Sequence, residues 1–238
     1  MSLLEHLEEL RSRLFKAVIG FIVAFLACWA VRDQLLQWVV APIREHLFDN
    51  GEIVFINLTE PFSIYMKTSA LAALFLASPW MLYQLWAFIS PGLYKKERRM
   101  VLPFMFFGTA FFIGGGYFGY AVAVPTAARW LIQLGQQFQA QITLRSAFSF
   151  ESWIILGMGI VFELPVVIFF LSRVGLVTPQ FLMRHFRIAV LVIAILSAVL
   201  TPTGDVMTMS VFAVPMILLY LLGVAVSWLF GKKKRKPE

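Results

Sequence analysis

Residues 153–172 read WIILGMGIVFELPVVIFFLS, twenty residues with one charge, Glu163, and one proline, Pro165. A helix rises about 1.5 Å per residue, so twenty residues cross a hydrocarbon core of about 30 Å. Outward from this stretch the pattern recurs at 14–31, 64–89, 100–124, 188–200 and 207–230. The fifth run reaches only about 20 Å, so it must thin the bilayer or snorkel its flanking Arg184 and Arg187. Of the 238 residues, 60% are hydrophobic and 14% charged, against roughly half and one quarter in soluble domains. A water-exposed core cannot hide that much apolar surface. The expected fold is all-α: a polytopic membrane protein of six transmembrane helices, with residues 1–238 as one transmembrane domain and short fifth and sixth spans.

The charges set the orientation. Residues 11–16, 95–99, 173–187 and 232–236 fall on one side of a six-span chain and hold 15 of the 20 lysines and arginines. Arg32, Arg44, Lys67, Arg129 and Arg145 fall on the other. The positive-inside rule places both termini in the cytoplasm. The net charge of +7 thus reads as topology and not as nucleic-acid binding, and the basic tail 231–238 faces anionic lipid heads.

Two outer segments, 32–63 and 125–152, each carry an amphipathic stretch: Leu35, Leu36, Trp38, Val39 and Val40 in the first, Trp130, Leu131, Leu134 and Phe138 in the second. Both are expected as caps along the outer interface. Prolines 79, 103, 165 and 215 interrupt spans. Gly115 and Gly119 stand in GxxxG spacing, read as internal packing in preference to a dimer interface.

Four places carry chemistry. On the helix from Ser2, Leu3, Leu7, Leu10 and Leu14 share a face, expected to bury against membrane or bundle, opposite Glu5, Glu8 and Glu9. The plain reading is a solvated face with Glu9–Arg13 and Glu8–Arg11 pairs. Glu97, the one acid between the second and third spans, lies at the start of a helix, where the dipole favours it. The functional reading is an anionic docking point shared with Glu9. Glu163 is an intramembrane carboxylate, a functional site by default; the plain alternative is a hydrogen bond to backbone freed by Pro165. Asp205, in the turn Thr201-Pro202-Thr203-Gly204-Asp205, reads as a helix cap. No HExxH, GxSxG or P-loop occurs. His6, His46, His185 and the single Cys28 form no metal set, so no enzyme, metal or cofactor is expected.

Several ordered stretches resemble a known family. They are His6–Leu14 (HLEELRSRL), Ala41-Pro42, residues 83–89 (YQLWAFI) leading into 91–99 (PGLYKKERR), Phe162-Glu163-Leu164-Pro165 and Leu200-Thr201-Pro202. Together they resemble TatC, the signal-peptide receptor subunit of the twin-arginine protein translocase, over almost the whole chain. The resemblance implies a multi-pass protein of the bacterial cytoplasmic membrane. It implies binding of twin-arginine signal peptides of folded cargo on the cytoplasmic face, recruitment of the single-span subunits TatB and TatA, self-association in a larger complex, and energy from the proton gradient. It assigns signal binding to Glu9 and Glu97, sensitive positions of that face to Arg11, Phe88 and Arg99, the buried acid to Glu163, and outer assembly positions to Pro42 and Asp205. The alternative from the residues alone is a small-solute or ion secondary transporter using Glu163.

Overall fold

The computed structural model describes residues 3–45, 53–89, 101–135, 137–138, 141–201 and 205–230. The loop carrying Glu97 and Arg99, and the tail 231–238, lie outside the described residues.

The first helix, α1 (Leu3–Ala30), runs unbroken from the amphipathic N-terminal stretch into the first apolar run. Its partner α3 (Glu60–Ile89) lies antiparallel to it. The ring of His6 stacks on Phe88 at 4.5 Å, Trp80 Nε1 donates to the Lys16 carbonyl at 2.9 Å, and Trp29 meets Phe62 edge-on at 6.0 Å. Gly20 makes this packing possible, because a side chain there would collide with the Trp80 indole. Between them lies α2 (Arg32–Arg44), which buries Val40, Pro42 and Ile43 and leaves Trp38 exposed, as expected of an interfacial cap.

The third apolar run is longer than its pattern suggests. Helix α4 (Val101–Phe118) passes through one π-helical turn, Gly119–Ala123, into α5 (Val124–Leu134). The cause is Pro125, which lacks an N–H and would clash with the carbonyl four residues back; widening the turn relieves both. The expected second cap around Trp130 is therefore no separate element but the continuation of this helix.

Residues 53–54 (β1) and 142–143 (β2) form a two-residue parallel pair, Ile53 opposite Ile142, joining the two outer segments of an otherwise helical chain. Glu60 fastens this junction by accepting from the backbone N–H groups of Ile56 at 3.1 Å and Arg145 at 2.8 Å. After it, α6 (Leu144–Phe162) begins at the N-cap Thr143, nine residues before the expected start of the fourth span. It breaks at Glu163 and resumes as α7 (Leu164–Val174). Pro165 forces the break, since it cannot donate to Val161 and crowds that carbonyl.

Helix α7 ends on Gly175 at φ 89°, with Leu176 N–H returning to Leu171 O at 2.9 Å, a left-handed cap that suits glycine. A short α8 (Pro179–Arg184) is capped by Thr178. Then α9 (Phe186–Leu200) has 15 residues, about 22 Å, so the fifth run is short as expected. The sixth is not: α10 (Val206–Phe230) has 25 residues, about 37 Å, enough to cross with tilt. It runs parallel to α7, joined by the buried Ser172–Ser227 hydroxyl pair at 2.6 Å and by Arg173, which donates to the Phe230 carbonyl at 2.8 Å.

Against α4, α6 packs antiparallel through Gly115 and Gly119. A Cβ at Gly115 would lie 2.5 Å from the Met158 carbonyl oxygen, and one at Gly119 3.0 Å from Ile155 Cα. The GxxxG spacing is thus an internal contact. Buried Ile154, Met158, Val124 and Phe212 centre the core. Large apolar side chains such as Phe106, Leu191 and Leu218 stay more than half exposed, on a surface that lipid would cover. Among the described residues, five helical stretches are long and apolar enough to cross a membrane: Glu5–Ala30, Glu60–Ile89, Met105–Leu134, Leu144–Val174 and Val206–Phe230, with Phe186–Leu200 a shorter apolar helix.

Candidate functional site

The antiparallel α1–α3 pair brings the start of α1 to the end of α3. There Arg13 Nη2 lies 3.5 Å from Glu9 Oε1, and its Nη1 lies 3.4 Å from Gln84 Oε1. Gln84 is only 2% exposed. The Glu9–Arg13 pair is the i, i+4 partnership that the spacing offers; no Glu8–Arg11 ion pair forms among the described residues. Glu9 Oε2 is buried and has no hydrogen-bond partner among them. One carboxylate oxygen is held from within the helix and the other is buried without a partner. Phe88 stacks on His6 beside this corner, and α3 ends one residue later, at Ile89, where the loop carrying Glu97 departs. Arg11 points to the exposed side of α1.

From this corner a groove of 440 Å³ leads into the bundle between α1, α3, α4 and α6. Arg13, Gln84 and Phe88 line its mouth, and Leu10, Leu14 and Leu82 its apolar walls. The leucine face of α1 is therefore not buried against the bundle: Leu7 and Leu14 are 59% and 61% exposed, and Leu10 and Leu14 turn toward the groove. An apolar cleft with a few polar groups at one end suits an extended or helical segment that is apolar with a cationic head.

Glu163 occupies the break between α6 and α7. Gly108 of α4 faces it: a Cβ there would lie 3.4 Å from its Oε2, at ordinary contact distance. Its Oε1 is buried without a hydrogen-bond partner; the bond to backbone freed by Pro165 is not made by this oxygen.

Pro42 lies inside α2 and is buried. Lacking an N–H, it cannot donate to the Trp38 carbonyl four residues back. Tyr120, in the π-helical turn, supplies the missing donor: its hydroxyl reaches Trp38 O at 2.8 Å. Pro42 thus acts by shaping α2 and seating it on the α4–α5 junction. Asp205 caps α10 by accepting from Thr208 N–H at 2.8 Å and from the Thr208 hydroxyl at 2.6 Å, as the turn chemistry implied.

Three polar residues escaped the sequence reading. Gln84 is one and Glu60 another. The third is Glu151, which is fully buried in α6 with both carboxyl oxygens unpartnered; the Ile43 backbone N–H faces it without closing a hydrogen bond. Its position among Ser149, Ser152 and the flanking aromatics, at the edge of an expected loop, disguised it as a solvated acid. Among the described residues no group of acids, histidines and cysteine could hold a metal ion.

A family model described as Sec-independent protein translocase protein (TatC) matches residues 5–215. The Sec-independent protein translocase protein TatC of Koribacter versatilis is 46% identical over 241 residues, covering 100% of this chain and 89% of that protein. That of Campylobacter jejuni is 39% identical, covering 93% and 91%. A crystal structure of the twin arginine translocase receptor TatC superimposes with a TM-score of 0.81 at 29% identity, covering 94% of this chain and 98% of that one. A match along nearly the whole chain, in sequence and in fold, leads to one conclusion: the chain belongs to the TatC family of Sec-independent protein translocase proteins.

Proposed function

We propose that this chain is the signal-peptide receptor of a twin-arginine translocase, with Glu9 and Glu97 taking the two arginines of the signal. Its six apolar helices cross the bacterial cytoplasmic membrane with both termini cytoplasmic, and the Glu9 corner faces the cytoplasm. The observation that carries the reading is the Arg13–Glu9 pair: Arg13 lines the mouth of an apolar groove, and Glu9, in contact with it, keeps one carboxyl oxygen buried and unpartnered.

A guanidinium presents donors in a rigid fork that a carboxylate accepts two at a time. Oε2 has no partner to give up and takes one arm of that fork once the side chain turns it out of its buried setting, and the second arm displaces Arg13 from Oε1. The Arg13–Glu9 contact is long and partly solvated, so it yields readily. Glu97, on the loop that leaves α3 beside Phe88, takes the adjacent arginine. The apolar segment that follows the arginines lies along Leu10, Leu14 and Leu82. Arg11 and Arg99 repel stray cationic segments that lack an apolar stretch to compensate. Cargo binding then recruits TatB and TatA, in a complex with further copies of this chain, with Pro42 and Asp205 shaping the outer surfaces used in assembly. The chain acts by binding and not by catalysis, and the proton gradient drives transport. The transporter alternative through Glu163 gives way to the family membership.

A photo-cross-linking residue in place of Leu85, which lines the groove, tests the reading. It is expected to capture the apolar segment of a bound twin-arginine peptide. Capture only from lipid-facing positions such as Leu218, and none from position 85, would put the peptide elsewhere.

A further inference from the structure

A second cleft, which shares Leu74 and Leu156 with the first, holds a cation without a counter-charge among the described residues. Lys67 lies seven residues into α3, about 10 Å along the helix from Glu60, and lines a 550 Å³ cleft with Ser149 and Ser152 of α6. Phe21 of α1, Leu74 of α3 and Trp153 and Leu156 of α6 form its apolar walls. Among the described residues no carboxylate lies within ion-pair distance of Lys67. A lysine inside a spanning helix is costly unless it meets a partner or reaches the interface. No acid lines this cleft to supply one.

We infer that Lys67, Ser149 and Ser152 form a binding site for the phosphate of an anionic glycerophospholipid, whose acyl chain lies along Phe21, Leu74 and Leu156. The ammonium supplies the charge and the Ser149 hydroxyl a further donor to phosphate oxygens; the Ser152 hydroxyl, which donates to the Ser149 carbonyl at 3.3 Å, adds another by turning to the phosphate. With no acid in the lining, an ethanolamine or choline group finds no counter-charge, so a headgroup of net negative charge is favoured. The order of the lining argues for a lipid and against a partner helix: Lys67, Ser149 and Ser152 come first along α3 and α6, and Leu74 and Leu156 one to two turns further on, the sequence of a headgroup and its chain. The site makes no use of Glu9 or Glu97 and stands apart from the receptor reading.

The test is native mass spectrometry of the full-length protein, purified, delipidated and titrated with phosphatidylglycerol or phosphatidylcholine of matched chains. The parent is expected to hold one phosphatidylglycerol per chain about fivefold more tightly than phosphatidylcholine. Lys67→Gln is expected to erase that preference, Lys67→Arg to keep it, and the Ser149→Ala/Ser152→Ala pair to weaken it. Equal retention of both lipids by the parent, or an undiminished preference in a folded Lys67→Gln protein, overturns the site. So does a photo-cross-linker in place of Leu71, which lines the cleft and leaves Lys67 intact, that captures a transmembrane helix in place of lipid in native membranes.

Discussion

Arg13 holds Glu9 from one turn further along the same helix, 3.5 Å from Oε1, and leaves Oε2 buried and unpartnered. An exposed or half-exposed i, i+4 pair contributes only about 0.3–0.5 kcal/mol. Arg13→Gln should therefore leave thermal stability nearly unchanged. Because the incoming guanidinium no longer has to displace Arg13, affinity for a twin-arginine peptide should rise about twofold. Isothermal titration in nanodiscs checks this, and a large loss of affinity would mean that Arg13 holds the carboxylate in its binding pose.

The α4–α6 contact gives a sharper contrast. Gly115→Ala drives a Cβ against the Met158 carbonyl and Phe162, whereas a Cβ at the neighbouring Gly114 meets nothing within 4 Å. Gly115→Ala should cost about 1–3 kcal/mol by overpacking, and Gly114→Ala should be neutral or slightly stabilising through helix propensity. Thermal unfolding in detergent compares the two; equal melting temperatures would contradict the close approach.

Tyr120 and Pro42 should be coupled through the Trp38 carbonyl. Tyr120→Phe removes the donor to Trp38 O and should cost about 1 kcal/mol. Pro42→Ala restores a backbone N–H that can serve the same carbonyl. In a double-mutant cycle, Tyr120→Phe should then cost less when Pro42→Ala is already present. Strict additivity would show that the two residues act independently.

Glu151 should be dispensable for binding and unfavourable for stability. A fully buried carboxyl with no hydrogen bond costs about 1–3 kcal/mol in unmet hydrogen bonding. Glu151→Met keeps similar volume and removes the polar atoms. The variant should melt higher and bind signal peptide like the parent. A drop in stability would reveal a partner for the carboxyl.

Much of this architecture was legible in the sequence because lipid imposes a simple rule: about twenty apolar residues per crossing. The runs around 64–89 and 153–172 followed from that rule alone. Its limits were the ends of the helices. Apolar patterning marks the hydrocarbon zone and not the helix, so α6 begins nine residues early at Leu144 and α5 extends past Pro125 by way of a π-helical turn. The capping role of Asp205 could be read from turn chemistry, a local interaction. The Glu9–Arg13 pair could be read from helical spacing for the same reason. The approach of Gln84 to Arg13 could not, since 71 residues separate them. Nor could the burial of Glu151, whose neighbours include Ile43 of α2 and Tyr120 of the π-helical turn.

The most direct measurement is the affinity of the purified protein for a twin-arginine signal peptide, set against the same peptide with Lys-Lys, in the parent, Glu9→Gln and Glu97→Gln. Loss of a charge-assisted hydrogen bond is worth about 1.5–3 kcal/mol, so each substitution should weaken binding about tenfold or more. The Lys-Lys peptide should bind the parent comparably weakly, because a point charge cannot fill the fork geometry. Undiminished binding in both folded variants, or equal affinity for the two peptides, would contradict a two-carboxylate arginine site.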